Sequence, residues 1–197
     1  MRRFASLVVL LAAVFGVSAC GGTGSGDLVS QQRTVGPFDS VRIDSALNVE
    51  LVVDPSADHS VSVTYDDNVI DQITTQVEGN TLVVELDQKI TLSGSGRLVM
   101  ITMSTLRDLT VSSAVNLKGT GETDSYQLTV SGASDVDLGG ITANDVALEV
   151  TGVSDVRVHA TGSVTGAVSG TSEVTVIGGP TNVTVDTGSL SDLNVES

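Results

Sequence analysis

Leu109-Thr-Val-Ser-Ser-Ala-Val-Asn-Leu117 is followed by a near copy of itself, Leu128-Thr-Val-Ser-Gly-Ala-Ser-Asp-Val136, and then by Leu148-Glu-Val-Thr-Gly-Val-Ser-Asp-Val156. Ala167-Val-Ser-Gly-Thr-Ser-Glu-Val174 continues the series, and Val185-Asp-Thr-Gly-Ser-Leu-Ser-Asp-Leu193 closes it in looser form. The aligned small residues Ser113, Gly132, Gly152, Gly170 and Gly188 are 19, 20, 18 and 18 residues apart. Val41-Arg-Ile-Asp-Ser-Ala-Leu-Asn-Val49 fits the same template near the start. Repeats this thin cannot bury their own apolar face, so consecutive coils must stack. The expectation is an all-β parallel β-helix, a solenoid with repeats of about 18–20 residues, its strands roughly 4.8 Å apart. The repeated Gly or Ser suits a corner where the backbone turns sharply or takes a positive φ.

Outward from the repeat, period 2 dominates. Leu47, Val49 and Leu51 alternate with Asn48 and Glu50, and Val156 and Val158 flank Arg157. Such alternation marks strands with one buried face, and no helical stripe of useful length competes with it. A β-sandwich built of hairpins is the rival architecture, but it leaves the fixed repeat unexplained. Residues 66–105 fit the repeat least well. Asp66-Asp67-Asn68 reads as a solvated acidic turn, the stretch to Leu82 as two strands paired by a loop, and Lys89 to Gly96 as a further loop.

The N-terminus predicts export. Arg2 and Arg3 precede an uncharged run from Phe4 to Val17, and Val17-Ser18-Ala19 supplies small residues before Cys20. The 14 residues of that run are fewer than the roughly 20 a bilayer span needs. The lone cysteine directly after Val17-Ser18-Ala19 resembles a bacterial lipobox, although Val17 stands where leucine is commoner. That resemblance implies a lipoprotein signal peptide over 1–19 and acylation of Cys20 with palmitate-type chains, the only site residue given a specific chemical role. Residues 20–34, opening with Gly21-Gly22-Thr23-Gly24-Ser25-Gly26, then read as a flexible tether, and 35–195 as the β-helix domain.

Charge narrows the partners. The whole chain has a formal charge of −15, and without residues 1–19 seven basic residues face 24 acidic ones. That sign opposes binding to nucleic acid or to anionic headgroups. The membrane partner is therefore reached through the lipid on Cys20, with an envelope protein or glycan as the further partner.

Arg33-Thr-Val-Gly-Pro-Phe38-Asp-Ser-Val41-Arg-Ile43, Leu47-Asn-Val-Glu-Leu51 and Val77-Glu-Gly-Asn-Thr-Leu82, together with the Ser131-to-Val136 copies, resemble the GIN-domain family, also labelled putative auto-transporter adhesin head domain. The resemblance covers about Val35 to Val195. It implies a right-handed parallel β-helix, common among lipoproteins and exported proteins, with no established activity and no catalytic motif to transfer.

The sharpest constellation lies three residues after each repeated small residue: Asn48, Asn116, Asp135, Asp155 and Glu173, with Asp192 close to that position in the last copy. Stacked coils would make these a ladder, read either as a cation site or as polar side chains serving the turn backbone. His59 and His159 are far apart in sequence and have no cysteine partner, so they predict no zinc site. No cofactor is implied. Polysaccharide-acting enzymes do occur on β-helices, but such chemistry calls for carboxylate pairs, bases and aromatic platforms. After Cys20 the chain has only Phe38, Tyr65 and Tyr126 as aromatics, and Ser93-Gly94-Ser95-Gly96 lacks the strand–turn–helix setting of a nucleophile elbow. A non-catalytic, adhesin-like binding module is therefore expected. The alternatives are an enzyme acting on envelope polysaccharide and a regulatory or structural component that binds another protein.

Overall fold

The computed structural model describes residues 23–86 and 95–196; the signal segment, Cys20 and most of the Lys89–Gly96 loop lie outside these. The described residues form fifteen strands and one short 3₁₀ turn. The strands are β1 (Leu28–Arg33), β2 (Ser40–Ile43), β3 (Asn48–Val53), β4 (Ser60–Asp66), β5 (Ile73–Glu78), β6 (Thr81–Leu86), β7 (Leu98–Met103) and β8 (Asp108–Ser113). They continue with β9 (Asn116–Glu122), β10 (Ser125–Gly132), β11 (Asp135–Val150), β12 (Asp155–Val168), β13 (Glu173–Ile177), β14 (Asn182–Thr187) and β15 (Asp192–Val195). The 3₁₀ turn covers Ile70–Gln72.

Two ladders of strands make the sides of a parallel β-solenoid. One runs β6-β2-β8-β10-β11-β12-β14, and the other runs β7-β3-β9-β11-β12-β13-β15. The long strands β11 and β12 belong to both. β11 turns from one side to the other where its register against β12 jumps, between Leu138 and Thr142 and again between Ala143 and Asp145. Every strand pair from β8 to β15 is parallel, as the repeat predicts and a hairpin sandwich forbids.

The period-2 residues fill the interior. Leu109, Leu128 and Leu148 are cross-strand neighbours along one side, and Leu117, Val136, Val156, Val174 and Leu193 along the other. All of these except Leu193 are buried, in a single continuous cluster along the solenoid. Each fully buried Leu or Val contributes about 1.5–3 kcal/mol over leaving it in water, which is what the thin coils gain by stacking.

The coils do not stack in chain order at the N-terminal end. β2 lies between β6 and β8, and β3 between β7 and β9. The chain therefore lays down one coil, returns past it to build β4 through β7, and then crosses back to add β8 and β9 on the other side. The simple expectation that consecutive coils stack holds only from β8 onward. Similar coil sequences reveal that coils can stack on one another, not which pairs touch.

Residues 66–86 contain the expected hairpin, with β5 antiparallel to β6. β4 is antiparallel to β7, and β1 to β4. The tether reading of residues 20–34 is corrected for Leu28–Arg33, which is a strand of the folded body. Its composition resembles a linker, yet its backbone continues the sheet edge. Val69, Ile70 and Ile73 are buried in this end of the core, so antiparallel strands and the 3₁₀ turn cap it. At the opposite end β14 pairs only with β12 and β15 only with β13 among the described residues.

Candidate functional site

One corner of the solenoid carries the acidic ladder. Asn48 is in register with Asn116, Asn116 with Asp135, Asp135 with Asp155, Asp155 with Glu173, and Glu173 with Asp192. Six residues spread over 145 positions of sequence thus form a single column. All six side chains are solvent-facing.

Beneath the column, two further repeats explain the corner. Ser113, Gly132, Gly152 and Gly170 have φ values of 97°, 105°, 100° and 87°. A Cβ on Gly132, Gly152 or Gly170 would run into the carbonyl oxygen of Ser113, Gly132 or Gly152, one coil back. The small side chain is demanded twice, by the backbone angle and by the neighbouring coil. Gly188 is not among the residues with positive φ. The last copy has one extra residue between its glycine and its acid, which shifts Gly188 out of the column.

Two residues after the small residue stand Leu47, Val115, Ser134, Ser154 and Ser172, all buried. The change from Leu and Val to Ser brings a hydroxyl ladder. The Ser134 hydroxyl donates to the Ser113 carbonyl (2.7 Å), that of Ser154 to Gly132 (3.4 Å) and that of Ser172 to Gly152 (3.3 Å). Backbone N–H groups of Val115, Ser134 and Ser154 donate to the hydroxyls of the next coil, each at 3.3 Å. These serines satisfy turn backbone that the ladder acids would otherwise have to serve. The column of serines is visible in the repeat alignment two places after each glycine, but small polar residues at a turn give no cue that they are buried.

A shallow depression of about 390 Å³ lies along the corner, lined by Asp135, Asp155, Glu173 and the exposed Val153 among others. No group of three or more His, Cys, Asp or Glu side chains among the described residues is arranged to hold a metal ion. From Asp135 to Asp192 the column offers a row of like charges at strand spacing, a surface that favours cationic partners.

The second feature is the Asp66-Asp67-Asn68 turn, where the solvated-turn reading holds for the exposed Asp67 and Asn68 and is corrected for Asp66. Asp66 is fully buried and its carboxylate is paired at two points with the buried Arg97 guanidinium, the Nη2–Oδ1 contact being 2.7 Å. The hydrogen bonds from Arg97, with a further one from the Gly26 N–H (2.7 Å), hold the Asp66 carboxyl down at about 2 against the burial that would raise it. Its neighbours grip the same segment. Ser25 donates its N–H to Asn68 Oδ1 (3.0 Å) and its hydroxyl to Asp67 Oδ1 (2.6 Å). Asn68 Nδ2 donates to the Thr23 carbonyl (3.0 Å), and the Asp67 N–H to that of Asp27 (2.9 Å). Residues 23–27 are thereby clasped to the end of β4, three residues after Cys20.

The remaining candidates stand apart. His59 packs edge-on against Phe38 with ring centroids 4.9 Å apart, and His159 Nδ1 lies 3.3 Å from the Gly139 carbonyl. Phe38, Tyr65 and Tyr126 are all buried, so no aromatic face among the described residues is open to a sugar ring.

Residues 37–121 and 87–180 each match a family model described as "Putative auto-transporter adhesin, head GIN domain". The chain also resembles solved structures. A putative adhesin from Bacteroides fragilis is 18% identical with a TM-score of 0.53, covering 89% of this chain and 100% of the other. A putative lipid binding protein from Parabacteroides distasonis is 13% identical with a TM-score of 0.41, covering 89% and 99%. A putative adhesin from the same organism is 14% identical with a TM-score of 0.40, with the same coverage. No curated protein matches the sequence.

Proposed function

This chain belongs to the head GIN-domain family, and on that premise we propose that it is an exported cell-envelope protein, lipid-anchored through Cys20, whose solenoid is a non-catalytic binding head. The observation that carries the proposal is the clasp of Thr23–Asp27 on Asp66, Asp67 and Asn68. With the chain fixed from Thr23 onward, only Gly21 and Gly22 separate it from Cys20. Three residues reach at most about 10 Å. An acyl group on Cys20 would therefore hold the capped end of the solenoid near the bilayer surface. The free end and the acidic corner would be left available to partners.

The binding half of the reading rests on what lines the surface. The column of Asn48, Asn116, Asp135, Asp155, Glu173 and Asp192 is regular and exposed, its last four members are acidic, and it suits a cationic patch on an envelope protein or on an amine-bearing glycan. A stiff body with its aromatics buried and shallow depressions is equipped to present a surface rather than to enclose a substrate.

The test is the Cys20→Ala substitution followed in cells. The parent chain is expected to begin at an acylated Cys20 by mass spectrometry and to sediment with membranes, and the variant to lack acyl chains and leave the membrane fraction. A variant that is still cleaved and still sediments as the parent does would overturn the anchor.

A further inference from the structure

The two ends of the solenoid are built differently. At one end β1, β4, β5 and the 3₁₀ turn at Ile70–Gln72 cover the core and Val69, Ile70 and Ile73 are buried, although β1 and β5 there each pair on one side only among the described residues. At the other, β15 has a partner on one side only, so alternate backbone N–H and C=O groups of Asp192–Val195 face outward with nothing to pair with among the described residues. Its inward side chains are open as well. Leu193 is only partly buried, Val195 is 50% exposed, and Leu190 at the preceding corner is 74% exposed. A free strand edge with apolar residues beside it is a template for another strand.

Charge identifies the occupant. After Arg157 the sequence has no Lys or Arg but has Glu173, Asp186, Asp192 and Glu196. The acidic column ends on β15 at Asp192, directly beside Glu173 and then Asp155. A second copy brings no compensation. Its own free end repeats the same acids, and at its capped end the basic residues are already engaged, Arg33 with the Ile70 carbonyl and Arg42 with Asp44 and Glu78, beside the acids Asp27, Asp67 and Asp71. Two free ends facing each other would set acid against acid, and like charges directly opposite on neighbouring strands are destabilising.

We infer that the free edge of β15 is a strand-addition site for an extended segment of a different protein, one in which basic residues alternate with aliphatic ones. Such a segment places a Lys or Arg next to Asp192, as the next member of the column. Its aliphatic residues cover Leu193, Val195 and Leu190. Main-chain pairing supplies affinity and the alternate side chains supply the choice of partner. The site is independent of lipid attachment at Cys20.

The probe is an end-blocked octapeptide alternating lysine with valine, compared with its glutamate–valine counterpart, on the full-length protein. Binding is read by fluorescence anisotropy and by amide hydrogen exchange. The lysine peptide is expected to bind and to slow exchange in residues 190–196, and the glutamate peptide to do neither. Two charge-reversed variants separate the site from the net charge of the protein. Glu173→Lys with Asp192→Lys should weaken binding by about tenfold or more, whereas Asp71→Lys with Glu78→Lys at the capped end should leave it within about twofold. Equal losses in the two variants, protection elsewhere in the chain, or no binding by the wild-type protein would overturn the inference. Self-association that protects residues 190–196 would overturn it too, by showing the occupant to be a second copy.

Discussion

The carboxylate of Asp66, at the end of β4, and the guanidinium of Arg97, just before β7, form a two-point ion pair in which both side chains are shut away from solvent. Desolvating two charges is costly, and the pair holds because its geometry is two-pronged and the Gly26 N–H adds a further hydrogen bond. It joins three segments remote in sequence: residues 23–27, the end of β4 and the entry to β7.

Acid should release this clasp. Asp66 is held at about 2 in the folded protein, below the ordinary value near 3.9 of an unfolded chain. Its contribution to stability is therefore complete above pH ~4 and is lost as the pH falls toward 2. Asp66→Asn should lower the denaturant midpoint at pH 7 by more than removal of the exposed Arg157–Glu196 pair does. It should also flatten the decline between about pH 4 and 2. Asp145, held low mainly by the Ser163 hydroxyl, should supply part of the slope that remains. A parent and variant separated by the same gap at every pH would refute the assignment.

The glycine column should be intolerant of a methyl group. Gly152→Ala combines a φ of 100° with collision against the Gly132 carbonyl, and should cost about 2 kcal/mol or more. Gly79, at φ 64° with open space around it, should cost only about 1 kcal/mol when changed to Ala. Ser113 already bears a side chain at φ 97°, so Ser113→Gly should be neutral or stabilising by up to about 1 kcal/mol. Urea unfolding of the three variants checks the order.

Tyr126 presents the opposite case. Its hydroxyl is buried without a hydrogen-bond partner among the described residues, and burial pushes its ionisation well above the ordinary value. Tyr126→Phe removes an uncompensated polar group and leaves the ring packing intact. It should be neutral or stabilise the fold by roughly 1 kcal/mol, as read from thermal unfolding.

Repulsion along the acidic column should be measurable. Asp155 stands between Asp135 and Glu173, so Asp155→Asn removes two like-charge neighbours at once. The gain should be about 0.2–1 kcal/mol in low salt and shrink in molar salt, where screening acts over about 3 Å. A salt-independent gain would place its origin in the turn and not in charge.

Ser113, Gly132, Gly152 and Gly170 were legible in the sequence because each coil repeats the same corner, and the column from Asn48 to Asp192 followed from that alignment. The Asp66–Arg97 pair was not, since the two residues are 31 apart, neither recurs, and an acidic triplet normally marks a solvated turn. Leu28–Arg33 read as linker because a strand that merely extends a sheet edge carries little apolar pattern. The placement of β2 and β3 inside the stack was hidden for a different reason. Coils of similar sequence are equally good neighbours, and only the crossing of the chain back past β2 and β3 selects one order.

That order makes one end capped and the other open, and thiol cross-linking tests it most directly. Glu50 on β3 is in register with both Met100 on β7 and Lys118 on β9. In a Cys20→Ala background, cysteines at 50 and 118 should oxidise to a disulfide, because neighbouring strands bring their Cα atoms within the roughly 7 Å a disulfide allows. Cysteines at 100 and 118 should not, with β3 between them. A disulfide between 100 and 118 and none between 50 and 118 would mean that the coils stack in chain order, which contradicts the capped-and-open solenoid.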